Sequence, residues 1–108
     1  MKDLFAFTFE SDISLSDMLV RLNNNGPWRW IERDSEHWGD YISTRALKDP
    51  DYAMVKLFVE PSHFAVNVKF ESSRPDAQTS VDGLRQTLLT KVLPLIGARN
   101  VQPTDTYD

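Results

Sequence analysis

Cysteine is absent from the chain, which excludes disulfides, thiolate nucleophiles, zinc-finger ligands and cysteine-bound clusters together. Glycine is scarce, with four residues at positions 26, 39, 83 and 97. None of them builds a glycine-rich phosphate loop or a glycine-flanked nucleophile elbow around Ser35 or Ser43. Histidine occurs twice, at His37 and His63, too few for a histidine metal site. Long apolar runs are also missing: nothing approaches the roughly 20 residues that cross a bilayer. The start, Met1-Lys2-Asp3 followed by Leu4-Phe5-Ala6-Phe7-Thr8-Phe9-Glu10, lacks the apolar stretch and small-residue cleavage site of a signal peptide. These absences make a cytoplasmic protein without cofactor or membrane partner the expectation.

Charge of one sign is not concentrated either. Twelve basic and 16 acidic residues give −4, with the acids dispersed, whereas a general nucleic-acid binder carries the opposite sign. A basic protein partner suits such a charge. What is present is apolar mass: 108 residues, 41% hydrophobic and 11% aromatic, enough for one core and too short for two. The expected organisation is a single domain over residues 1–100 and a C-terminal tail over 101–108, with a short edge strand possible at Val101.

Phe5, Phe7 and Phe9 alternate with smaller residues, the period of a strand with one aromatic face. Ser14 offers a helix N-cap, with Asp17 three residues on and Ile13 and Met18 placed as a staple. Leu15, Met18, Leu19 and Leu22 then follow at helical spacing, and Asn23-Asn24-Asn25-Gly26-Pro27 ends the helix. Trp28 to Arg33 reads as a second strand, with Trp28 and Trp30 on one face and Arg29, Ile31 and Arg33 on the other. Asp34 to Gly39 reads as a turn, and Asp40 to Leu47 as a further strand closed by Asp49-Pro50-Asp51. Tyr52–Glu60 and His63–Glu71 alternate cleanly around Pro61-Ser62, a hairpin. Ser72 to Asp76 is a linker. Val81, Leu84, Leu88, Val92 and Leu95 form the apolar stripe of a second helix, which Pro94 bends or ends near Gly97. The resulting class is α+β: one mainly antiparallel sheet of four to five strands with two helices on one face, in the order β-α-β-(β)-β-β-α, with a ferredoxin-like variant open.

The stretch from Gly26 to Tyr41 holds all three tryptophans among alternating acids and bases. Tryptophan, tyrosine and arginine are enriched at interface hot spots, so binding is expected through Arg29, Arg33, Glu36, Trp38, Asp40 and Tyr41. Core packing is the competing account of Trp28 and Trp30. Glu32, Asp34, His37 and Asp40 would be the acid/base or metal cluster of an enzyme, but Asp34-x-x-His37 matches no ligand motif. Trp28, Trp30 and Trp38 with Arg29, Arg33 and Arg45 would be a single-strand stacking platform, weakened by the four intervening carboxylates. The expectation is therefore stoichiometric protein binding of the type performed by immunity proteins, antitoxins and phage-encoded inhibitors, with Trp38, Tyr41, Glu36 and Asp40 occluding a basic site. The alternative is a small-ligand or enzymatic domain with a pocket between sheet and helices near Trp30. A homodimer through the outer sheet face at Tyr52, Met54 and Phe58 is a third expectation.

Overall fold

A computed structural model of the chain describes residues 1–36 and 39–105. Strand β1 spans Lys2–Glu10, helix α1 Leu15–Asn25, β2 Ile31–Ser35, β3 Gly39–Leu47, β4 Asp51–Val59, β5 Phe64–Ser72, helix α2 Ala77–Thr87 and β6 Arg99–Thr104. The strands form one sheet in the order β2-β3-β4-β5-β1-β6, and every pairing is antiparallel. The class is thus α+β as expected, with six strands where four to five were read. Helices after β1 and β5 and the order β6-β1-β5-β4 match the split βαβ arrangement of the ferredoxin-like variant left open from the sequence, with β3 and β2 added at the β4 edge.

The two helices cover one face. Register aligns Phe5, Phe7 and Phe9 of β1 with Val68, Val66 and Phe64 of β5, and Val55 and Leu57 of β4 with Val68 and Val66. Met18 and Leu22 of α1 and Val81 and Leu84 of α2 bury against this surface in one cluster with Ile42, Phe70, Leu88 and Val92. The three-four spacing of the helices and the two-residue spacing of the strands therefore meet in one core.

Local chemistry sets the boundaries. Ser14 caps α1, its Oγ accepting from the Asp17 amide at 3.2 Å. At the other end the Gly26 amide donates to the Leu22 carbonyl, and a Cβ on Gly26 would lie 2.7 Å from that oxygen. The second helical segment does not stop at Thr87: it runs through a π-helical turn at Leu88–Val92 and a 3₁₀ turn at Leu93–Ile96. Pro94 has no amide to give the Thr90 carbonyl, and its ring crowds that oxygen, so the helix widens before the proline and tightens after it. Gly97, at φ 64°, closes the segment with its amide on the Leu93 and Pro94 carbonyls.

Residues 101–104, read as tail with a short edge strand at Val101, belong to a longer edge strand, β6, paired to β1. Its mixed polar sequence gives no alternation, and Pro103 is tolerated because β6 lies at the sheet edge. Trp28 to Arg33, read as one strand, divides: β2 begins only at Ile31 and continues through Asp34 to Ser35. The side chain of Asn23 explains the late start. It accepts from the Trp30 amide at 2.7 Å and donates to the Trp30 carbonyl at 3.0 Å, occupying both backbone groups that a ladder would use.

A charged cluster ties the β4–β5 hairpin to the start of α2. Arg74 donates to both oxygens of Asp51, at 3.1 and 2.6 Å, and also reaches Ser80, while Ser72 Oγ donates to Asp51 at 2.5 Å. The Ser72 hydroxyl, and behind it the Arg74 guanidinium, outweigh burial and hold the Asp51 carboxyl below the usual carboxylate range. A carboxyl lowered in the folded state stabilises it above the unfolded-state value, and that stability is lost as pH falls through the folded value. Asp51→Asn is expected to lower the melting temperature most near neutral pH, with the gap to the parent protein closing on acidification. Thermal melts from about pH 7 to pH 2 check this; a gap that is constant across the range removes the ion-pair account.

Candidate binding site

Trp30 is 2% exposed and belongs to the core cluster, with Trp28 packed against it at a ring separation of 6.2 Å. The core account of these two tryptophans therefore holds. Among the described residues Trp30 Nε1 has no hydrogen-bond partner, so the indole is held by packing and by the Asn23 clamp on its backbone. The expected contact residue Trp38, and His37 with it, lie outside the described residues.

The β2–β3 pairing sorts the remaining candidates by strand parity. Arg33 stands opposite Tyr41, Glu32 opposite Ile42, and Asp34 opposite Asp40. Ile42 is in the core on the helix side, so the acids Glu32, Asp34 and Asp40 take that side and Arg33 and Tyr41 take the other. Residues 28–48 balance four bases against four acids, but the two faces of the β2–β3 hairpin do not share them equally. Where Leu15 of α1 approaches the hairpin, a cleft of about 230 Å³ is lined by Leu15, Glu32, Arg33, Asp34, Asp40 and Tyr41. Of the other expected residues, Arg29 is exposed just before β2, with its carbonyl accepting from Thr44 Oγ1 at 2.6 Å, and Glu36 is exposed in the turn after it. Arg33 and Tyr41 are cross-strand neighbours, but Arg29, Glu36 and Asp40 do not join them on one face.

The outer face extends what Arg33 and Tyr41 begin. Register places Arg33, Tyr41, Phe58, Ala65 and Thr8 in one row across the sheet. The next row runs Ile31, Ser43, Lys56, Asn67 and Ala6, and the one after it Arg45, Met54, Lys69 and Leu4. Tyr52, Glu71 and Lys2 complete the face. From β2 across to the start of β1 its strand positions carry Lys2, Arg33, Arg45, Lys56 and Lys69 against Glu71, while Glu10 stands opposite Arg99 at the far β1–β6 end. The aromatic rings support these cations. Lys56 Nζ lies 5.8 Å from the centre of the Tyr41 ring and the Arg45 guanidinium 5.3 Å from that of Tyr52. Tyr41 in turn packs on Phe58 at 5.1 Å, which leaves Phe58 only 3% exposed. Cation–π contact and the packed ring beneath fix where these charges stand.

Lys56 and Lys69 escape a motif search because each is one lysine in an apolar strand. The signal that finds them is parity combined with register. His63 lies elsewhere, at the β4–β5 turn beside a second cleft lined by Glu10, Asp12 and Arg99. Ser43 is buried in the outer face between Ile31 and Lys56. Among the described residues no group of three histidine or acidic side chains is arranged to hold a metal ion, and no helix is long and apolar enough to cross a membrane. Comparison with family models, with curated proteins and with solved structures finds no match to this chain.

Proposed function

We propose that the protein acts by stoichiometric binding of another protein, in the manner of an immunity protein, antitoxin or phage-encoded inhibitor, through the outer sheet face where β2, β3 and β4 meet. The observation that carries this reading is the segregation of charge by strand parity. One face presents Arg33, Tyr41, Arg45 and Lys56 while the acids of the same hairpin point to the helix side. Both helices pack on that helix side. Arginine and tyrosine on a rigid sheet provide contact area and directional polar groups at small entropic cost.

The small-ligand or catalytic alternative called for room between sheet and helices beside Trp30. That region is filled by Met18, Leu22, Ile42, Leu57 and Leu88, each fully buried. The cleft at the hairpin is smaller than most ligand sites, which run from about 300 Å³ upward.

The test is capture of a partner from the source cells with the tagged protein, followed by mass measurement of the purified complex. Arg33→Ala combined with Tyr41→Ala is expected to weaken a one-to-one complex at least about tenfold, the equivalent of roughly 1.4 kcal/mol. Asp17→Ala on α1 should leave it unchanged. A complex indifferent to the double variant removes the outer face as the site.

A further inference from the structure

The charges of this face also identify the kind of segment it takes. Resting on the reading above, we infer that the outer sheet face binds an acidic, extended segment of its partner protein, with the stripe Arg33, Lys56, Lys69 and Lys2 receiving carboxylates. Arg33 flanks Tyr41, and Lys56 lies over the Tyr41 ring. Lys69 is the diagonal neighbour of Lys56, and Lys2 the diagonal neighbour of Lys69. The lysine steps along the stripe are therefore about 7 to 8 Å. Alternate side chains of an extended peptide are about 7 Å apart on one side, so an acid at every second residue matches the stripe.

Arg33, Lys69 and Lys2 are exposed and Lys56 is half-buried. Side-chain exposure is 82% for Lys2 and 58% for Lys69. Glu71 serves both of them loosely, at 3.9 and 4.0 Å, and such exposed pairs are worth little, so an incoming carboxylate displaces them readily. With the chain at −4 overall, a surplus of cations on this face requires a larger surplus of acid elsewhere. An acidic ligand is therefore steered to this face and repelled from the others.

The same observations disfavour two other occupants. A second copy docked face to face through Tyr52, Met54 and Phe58 would set two cationic stripes against each other, and Phe58 is too covered to contribute much apolar area. A single-stranded nucleic acid needs free ring faces on which to stack bases. Here Tyr41 is engaged by Lys56 and Phe58, and Tyr52 by Arg45. A long polyphosphate would also meet the net negative charge of the molecule.

The experiment uses the full chain, a fluorescein-labelled twelve-residue peptide of alternating glutamate and threonine, its lysine-threonine counterpart, and a twelve-nucleotide oligo(dT). Anisotropy titrations measure affinity, and amide chemical shifts locate binding. The glutamate peptide is expected to bind, to weaken with salt, and to shift amides of β2 to β5 around Arg33, Tyr41, Lys56 and Lys69. Arg33→Glu with Lys69→Glu, both exposed positions, should reduce its affinity at least tenfold with an unchanged circular dichroism spectrum. No binding of the glutamate peptide, shifts confined to the helix side, or equal binding of the lysine peptide overturns the inference. Oligo(dT) binding as tightly with the same shifts overturns it in favour of nucleic acid, and a solution dimer broken by the double reversal overturns it in favour of self-association. If the peptide fails while partner capture still depends on Arg33 and Tyr41, the acidic-segment inference falls and the protein-binding reading stands. If capture is also indifferent to those residues, both fall.

Discussion

Phe70→Ala is expected to destabilise the fold by about 3 to 5 kcal/mol, among the larger effects available to one substitution. Phe70 is fully buried on β5, with Ala53 of β4 and Asp3 of β1 as its lateral neighbours. Neither has the bulk to move into the space that the phenyl group vacates. Ala77 of α2, in the same core cluster, is also small. A site that cannot collapse retains its cavity, which places the loss toward the upper end of the range. A domain of this size has about 5 to 15 kcal/mol in total, so the variant should remain folded at 25 °C but melt about 15 °C lower or more. Urea unfolding measures it directly: the midpoint should fall while the slope stays constant. Phe5→Ala is the comparison. Phe5 is only partly buried at the edge of the same face, beneath Arg85 at 4.4 Å, and should lose less than half as much. Similar losses at both sites would mean that Phe70 fills no tighter space than Phe5.

How far the sequence discloses this fold depends on which force fixes each element. The β4–β5 hairpin was legible to within one residue at each end, Asp51–Val59 and Phe64–Ser72 against the expected 52–60 and 63–71, because a sheet with one buried face imposes strict alternation. Helix α1 was legible for a similar reason, with its cap chemistry written locally in Ser14 and Gly26. What was missed or read only in part lies where long-range contacts decide. β6 is added at the edge by pairing with β1 and carries no apolar alternation of its own. The tryptophan alternation at 28–30 mimics a strand, yet those residues are held by Asn23 and Thr44, side chains seven and fifteen residues away.

The site shows the same limit more sharply. Counting charges along residues 28–48 gives balance, and balance argues against any charged ligand. The pleat then sends Glu32, Asp34 and Asp40 to one side and Arg33 and Tyr41 to the other, while β4 and β5 bring Lys56 and Lys69 beside them. Net charge per window is thus the wrong quantity for a strand; charge per face is the relevant one, and it needs the register. Arg33 and Tyr41 were recognisable from residue type. Lys56, Lys69 and Lys2 were not, because only the pairing of β4, β5 and β1 assembles them.

Asn23→Ala is expected to be the second large effect, about 2 to 4 kcal/mol, and it joins stability to the site. The amide side chain at the end of α1 satisfies the backbone N–H and C=O of Trp30 at once, and Trp30 lies in the core. Alanine leaves both groups without their partners, and an orphaned buried group costs roughly 1 to 3 kcal/mol. Asn23→Asp separates the two bonds: its carboxylate still accepts from the Trp30 amide but faces the Trp30 carbonyl with a second acceptor, so it too should destabilise. Ile31, where β2 begins, directly follows the clamped residue, so releasing Trp30 also loosens the strand that positions Arg33 opposite Tyr41. Amide exchange should therefore accelerate along β2 and β3 in Asn23→Ala before it does in β5, whereas Phe70→Ala should accelerate exchange throughout. Uniform acceleration in both variants would mean that the hairpin opens only with the whole domain. A loss under about 0.5 kcal/mol in Asn23→Ala would mean that the clamp does not hold the hairpin at all.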